Sequence, residues 1–324
     1  MPNPAENPQT KLTFGTGKTK VIHPLGEGVR VYGQTVKGKG FSVVFDYEDT
    51  TAFTKWLEST SNTSPFRASQ KEPSEEWDNG LGYQGTVDMT KVGYAEGVKN
   101  LNHAYAQLPQ STTQGMVIDH DVAGGDLDVG AFCAGDPCHY DVDPDEDSLG
   151  ETKVIRLLFP QTANCYVTAK QYANRGAALV AIVDALERGG RQVEIVTETS
   201  FHSSSWGDAR RTPLCVTQKV TIKRAGTMLD LTQIATWLMH PAVFRRLGFA
   251  FLENVGAMQT PVGSVSDRMT ACYGCAGRQV DMSEEPSSTV HFPKLEDGRH
   301  DTPAESMASL TKVFEQAGYV IKFD

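Results

Sequence analysis

The residues with the most chemical potential lie at 119–147, DHDVAGGDLDVGAFCAGDPCHYDVDPDED, which is rich in aspartate and holds two histidines, two cysteines and no Lys or Arg. Asp119, His120, Asp121, Asp126 and Asp128 are the types that hold a divalent metal or act as acid and base in a hydrolase or nuclease. The same stretch also reads as an acidic connection, with Gly124-Gly125 as an ordinary turn and Asp126 capping a short helix. Cys133, Cys138 and His139, with Cys272 and Cys275, are soft ligands suited to zinc, but their spacing is loose and the two groups are far apart in sequence. Asp141, Asp143 and Asp145 match the first half of a calcium loop. Glu146 stands where glycine is required, and Thr152 where a bidentate carboxylate is required.

Other motifs fail on spacing or context. TFGTGKTK at 13–20 lacks the first glycine of a phosphate-binding loop, since Leu12 holds that place, and Pro24 follows where a helix is needed. No nucleophile elbow lifts Ser203–Ser205 above loop residues. No cofactor is expected on these patterns, and a divalent metal stays open as an alternative.

These residues need a frame. VIRLLF (154–159) has the character of a strand buried on both faces. In ANRGAALVAIVDALERGG, Leu179, Ile182, Val183 and Leu186 recur at helical spacing, with Asn174 as the expected N-cap and Gly189-Gly190 as the stop. VEIVT (193–197) follows, which makes a βαβ unit. Further strands are expected near 29–36, 41–46, 114–122 and 215–224, and at the closing GYVIKF. Helices are expected at TTAFTKWLEST, as one helix between 88 and 108, as two in LDLTQIATWLMHPAVFRRLGFAFLENV with Pro241 opening the second, and at PAESMASLTKVFEQAG. Residues 59–79 and 256–302 read as exposed connections. His240 reads as a local structural residue, and Arg245 and Arg246 as salt-bridging or exposed.

The expected fold is α/β, with a mixed or mostly parallel sheet and helices on both faces, in a von Willebrand A-like or Rossmann-like three-layer arrangement. The expected divisions are a weakly ordered 1–20, an irregular N-terminal α+β region at 21–150, and an α/β domain at 151–324 carrying the loop 256–302. Its core includes Val154, Ile155, Leu157, Leu158, Leu179, Ile182, Val183, Leu186, Val193, Ile195, Val220 and Ile222. Ligands of open α/β sheets favour loops at the carboxyl ends of strands. That rule selects 161–170 after VIRLLF and 201–208 after VEIVT, with Thr162, Asn164, Thr168 and Ser203 as binding candidates or local caps.

With 324 residues and 39% hydrophobic content the chain is long enough for a substantial core. A formal net charge of −10 argues against bulk, charge-driven binding to nucleic acid. No apolar run is long enough to span a membrane, and the proline-rich start has no signal pattern, so a cytoplasmic protein with reduced thiols is expected.

DVAGGDLDVGAFCAGDPC, RGAALVAIVDALERGGRQVEIV, WDNGLGYQGTVDMTKVGYAEG and MHPAVFRRLGFAFLEN resemble segments of a family of uncharacterised proteins encoded by tailed phages, over most of residues 40–260. That resemblance implies a phage gene product acting in a bacterial host. The second half is also similar to von Willebrand A-type domains. Their Asp-x-Ser-x-Ser metal motif, however, is replaced here by PQTANC. The resulting expectation is a non-enzymatic binding protein that contacts a host or phage protein through loops at one sheet edge. The alternatives are the metal-dependent hydrolase or nuclease at 119–128 and a component of the virion.

Overall fold

A computed structural model of the chain describes residues 21–24, 27–36, 40–59, 68–106, 108, 119–121, 126–127, 133, 140–142, 154–203, 213–265, 267, 288–295 and 300–319. The elements in chain order are β1 (Val21–Pro24), β2 (Val29–Val36), β3 (Gly40–Tyr47), α1 (Thr50–Ser59), a 3-10 turn (Ala68–Gln70), α2 (Glu75–Asp78), α3 (Tyr83–Val92) and α4 (Ala95–Tyr105). Then come β4 (Asp119–Asp121), β5 (Asp126–Leu127), β6 (Tyr140–Val142), β7 (Val154–Pro160), α5 (Ala169–Arg188), β8 (Gln192–His202) and β9 (Leu214–Lys223). The chain continues with α6 (Leu231–Met239), a π-helical segment (Val243–Gly248), α7 (Phe249–Asn254), β10 (Gln259–Thr260), β11 (Gly263–Ser264), β12 (Thr289–His291) and α8 (Pro303–Gln316).

The fold is α/β, a mixed seven-stranded sheet in the order β1-β2-β3-β9-β8-β7-β12 packed with helices. β7 and β8 run parallel around α5, which is the expected βαβ unit, and β12 adds parallel to β7. β8 and β9 are antiparallel, and β9 is parallel to β3. The main sheet therefore draws strands from both sides of residue 150, and the boundary expected there does not divide it.

Ladder partners share a face of a sheet and successive residues alternate between faces. Phe41, Val43, Phe45 and Tyr47 on β3 align with Leu214, Val216, Gln218 and Val220 on β9, and Val216 aligns with Phe201 on β8. Ile155, Leu157 and Phe159 on β7 align with Val193, Ile195 and Thr197 on the same side of β8. One apolar cluster gathers the β3–β9 members with Phe53 and Trp56 of α1, Phe244 and Leu247 of the π segment, and Phe251 of α7. A second gathers the β7–β8 members with Leu179, Ile182 and Val183 of α5, Leu238 of α6, and Leu310 and Phe314 of α8. Positions on the opposite face are largely polar yet buried, among them Ser42, Asp46, Thr217, Lys219, Glu198 and Ser200.

Several local expectations need correction. Asn174 is not the N-cap of α5. The helix starts earlier, where Thr168 accepts from the Gln171 N–H and the Gln171 side chain accepts from the Thr168 N–H, a complete capping box. Asn174 is buried inside the helix, and its Nδ2 donates to the His300 carbonyl at 2.9 Å. The single helix between 88 and 108 is two, because Gly93 takes φ 85° and ends α3. Val154 is 38% exposed, so it lies outside the core, and Ile222 is only partly buried.

The stretch 59–79 is not simply an exposed connection, since Ser69 and Asp78 are fully buried. Ser69 donates through N–H and hydroxyl to Glu253, and Asp78 pairs with Arg246. Within 256–302, β12 is a strand of the main sheet, and Val290 and Phe292 join the core. Of the expected closing strand GYVIKF (318–323), Gly318 lies in a turn at φ 85° and the residues from 320 on lie outside the described residues, as does the expected N-terminal segment 1–20.

Candidate binding cleft

Of the expected binding residues at the strand ends, Thr162, Thr168 and Ser203 make side-chain hydrogen bonds within the fold, and Asn164 contributes its main-chain carbonyl. Thr162 Oγ1 accepts from the Ser200 N–H at 3.0 Å, and Ser203 Oγ accepts from the Leu214 N–H at 2.7 Å. Thr168 caps α5. The Asn164 carbonyl accepts from Arg245 at 3.2 Å. Arg245 also donates to the carbonyls of Trp77, Cys165 and Val167. Arg175, stacked 4.1 Å from the Phe159 ring centroid, donates to the carbonyls of Pro160 and Pro293. Burial lowers the Arg175 guanidinium to about 9. Two buried arginines thus fasten this rim through main-chain oxygens. Ser203 is the last described residue before 213 in the expected 201–208 loop.

Beside that rim the surface opens into a cavity of about 540 Å³, within the range of small-ligand pockets. α4 forms one wall. Its sequence AEGVKNLNHAY turns Val98 and Leu101 toward the core, and Glu96, Gly97, Asn100 and His103 line the opening. The start of α5 forms the other wall through Ala169, Lys170, Ala173 and Asn174. Met239 and Pro241 contribute from the end of α6, and Asp301 and Thr302 from the start of α8. Ala169 and Ala173 present only small side chains to the opening, and Gly97 lets the Tyr94 ring pack against α4 where a Cβ would meet it at 2.1 Å. Asn79 also lines the cavity and takes the left-handed conformation at φ 58° as the C-cap of α2.

Several polar groups here are hydrogen-bonded within the chain. Gln171 Nε2 donates to Asp301 Oδ1 at 2.8 Å. Tyr94 packs edge-on against His240, with ring centroids 4.7 Å apart. Burial, with the Glu96 carboxylate, raises the Tyr94 phenol against a hydrogen bond from Asn79. His240 is buried, its Nδ1 accepts from the Ala242 N–H at 3.2 Å, and burial pulls it down to about 4 against the opposing charge of Asp78. It is a neutral structural group at physiological pH. Glu96, Asn100 and Lys170 line the same cavity, and all three are exposed. The lining therefore includes one acidic, one amide and one basic residue at solvent-exposed positions.

A second polar cluster lies on the other face of the sheet. Glu198 sits opposite Lys219 in the β8–β9 ladder, and Ser200 Oγ donates to its Oε1 at 3.0 Å. The ring nitrogen Nε2 of His291, on β12, is 3.7 Å from Oε2, beyond hydrogen-bond range but within ion-pair range. Burial works to raise Glu198, yet His291, Lys219 and Ser200 together hold it below the usual carboxylate value. Neighbouring Cys215 is pushed up to about 11 by burial, which keeps it a thiol. All these residues except Cys215 are almost wholly shielded from solvent.

The aspartate-rich stretch forms part of a three-stranded sheet in the order β4-β6-β5. Asp141 on the central strand is the ladder partner of His120 on one side and Asp126 on the other. Asp119 and Asp121 align with Val142 and Tyr140. Cys133 is exposed and free. Asp128, Cys138, His139, Cys272 and Cys275 lie outside the described residues.

The cleft residues escaped sequence reading because they belong to helix surfaces rather than to a motif. Their one signal is the i, i+4, i+7 recurrence of Glu96, Asn100 and His103 on the polar side of an amphipathic helix. Glu198 and Lys219 carry a clearer signal, charged residues in the middle of apolar strands.

Fold and cleft together define an α/β protein with a ligand-sized opening between helices beside its sheet. The chain belongs to the family described as Domain of unknown function (DUF7192), whose model matches residues 34–320 and so takes in everything from the middle of β2 through α8. No curated protein and no solved structure matches the chain.

Proposed function

We propose that this chain is a non-enzymatic binding protein, encoded by a tailed phage, that recognises a protein partner in the host cell through the cleft between α4 and α5. The observation that carries the reading is a ligand-sized cavity of about 540 Å³ lined by the exposed polar residues Glu96, Asn100 and Lys170. The resemblance of residues 40–260 to phage-encoded proteins supplies the setting. The rim residues Thr162, Thr168 and Ser203 support the scaffold and leave recognition to the neighbouring helix surfaces.

The test uses immobilised protein and two tryptophan variants on α4. Asn100→Trp fills the cleft, and Lys99→Trp adds the same bulk at an exposed position outside the lining. The reading predicts one partner held by the wild type and by Lys99→Trp and lost with Asn100→Trp. Equal retention by all three contradicts it.

One observation favours a second reading, a metal-dependent hydrolase. The backbone register sets His120, Asp141 and Asp126 side by side across three strands. Asp and His are residue types that bind divalent cations, while among the described residues no group of three or more His, Cys, Asp or Glu is placed to hold one. Thermal melts with Mn²⁺, Zn²⁺ and Ca²⁺ decide it. An upward shift that Asp126→Ala abolishes favours the hydrolase, and no shift with any of the three ions counts against it.

A further inference from the structure

The charges around the cleft are of both signs. Lys170 stands on one wall and Glu96 on the other, and Asp301 closes one end with an oxygen already held by Gln171. A simple anion would gain Lys170 but face two carboxylates. A simple cation would gain Glu96 but face the ammonium group. A ligand with one group of each sign satisfies both walls. Asn100 lies one turn along α4 from Glu96, and Asn79 and Asn174 are also in the lining. An asparagine side chain offers both a donor and an acceptor, the same pair that a peptide group presents.

Resting on the binding reading above, we infer that the cleft takes a short peptide segment bearing one acidic and one basic side chain. Lys170 holds the acidic side chain, Glu96 holds the basic one, and Asn100 bonds the peptide main chain. The net charge of −10 and the carboxylates at the rim turn nucleic acid away.

The experiment measures fluorescence polarisation with dye-labelled, end-blocked tetrapeptides. Two carry one lysine and one glutamate in opposite orders, one carries two lysines, and one carries two glutamates. The mixed pair is expected to bind, with at least one order favoured over both like-charged peptides by about tenfold or more, the value of a charged hydrogen bond. Lys170→Glu and Glu96→Lys alter exposed side chains, so the fold is retained. Each alone is expected to remove the preference, and the double reversal is expected to restore binding with the favoured order switched.

Equal binding of like-charged and mixed peptides overturns the inference, as does a preference that survives both single reversals, or no binding by any of the four. In each of those cases partner loss with Asn100→Trp would leave the cleft as the binding site and discard only the charged-peptide assignment.

Discussion

Two buried residues set the clearest energetic expectations. Arg246 and Asp78 are both fully buried and paired, and Arg246 also donates to the carbonyls of Ser69, Lys71 and Glu72. Breaking such a pair leaves an uncompensated buried charge, which typically costs about 3–5 kcal/mol. Asp78→Ala is therefore expected to lower the unfolding free energy from urea denaturation by that order, and a loss under about 1 kcal/mol would contradict the pairing. His240 gives a pH signature. Its folded value of about 4 lies below its ordinary 6.5, so the unfolded chain takes up the proton first as pH falls. Stability contributed by the neutral ring is complete above pH 6.5 and is lost progressively between 6.5 and 4, on the order of 3 kcal/mol in total. Urea melts across that window should show the slope in the wild type and a flatter profile in His240→Asn. Glu198, held below 4.5, acts with the sign of a paired carboxylate, and its contribution is lost at more acidic pH.

At the scale of elements, α5 rests on its capping box, and Thr168→Ala is expected to cost about 1 kcal/mol in equilibrium unfolding with the helix retained by circular dichroism. The same helix shows what a sequence displays and what it conceals. Leu179, Ile182 and Val183 announced the buried stripe, because helical periodicity is a property of local order. The start was misplaced because ANRG and TAKQ both offer a capping side chain, and only the buried contact of Asn174 with the 300 turn decides between them. β12 was hidden for another reason. Three residues are too few for a period, and the strand exists only because β7 supplies its ladder. The split of α3 from α4 depends on Gly93, whose φ of 85° is invisible in a continuous helical pattern. An alanine there would meet Thr232 Cγ2 at 2.0 Å, so Gly93→Ala is expected to destabilise by more than the roughly 1 kcal/mol of an ordinary glycine effect, read from the thermal midpoint.

At the scale of the molecule, the sheet has two unlike sides. One carries both apolar clusters, and the other is a buried polar surface whose centre is Glu198 with Lys219, Ser200 and Thr217. The loop ends nearby are tied down by Arg175 and Arg245, and the cleft beside them is lined both by residues bonded into the frame, such as Asn174 and Asp301, and by the exposed Glu96, Asn100 and Lys170. On the proposed reading, a ligand seats in the cleft beside this hydrogen-bonded frame. Hydrogen exchange with and without the best-binding mixed-charge tetrapeptide tests that account most directly. Protection should rise in α4 (95–105) and the first turns of α5 (169–174), with 161–168 and β8 unchanged. Protection confined to β4–β6, or spread over the whole chain with none localised to α4 and α5, would contradict it.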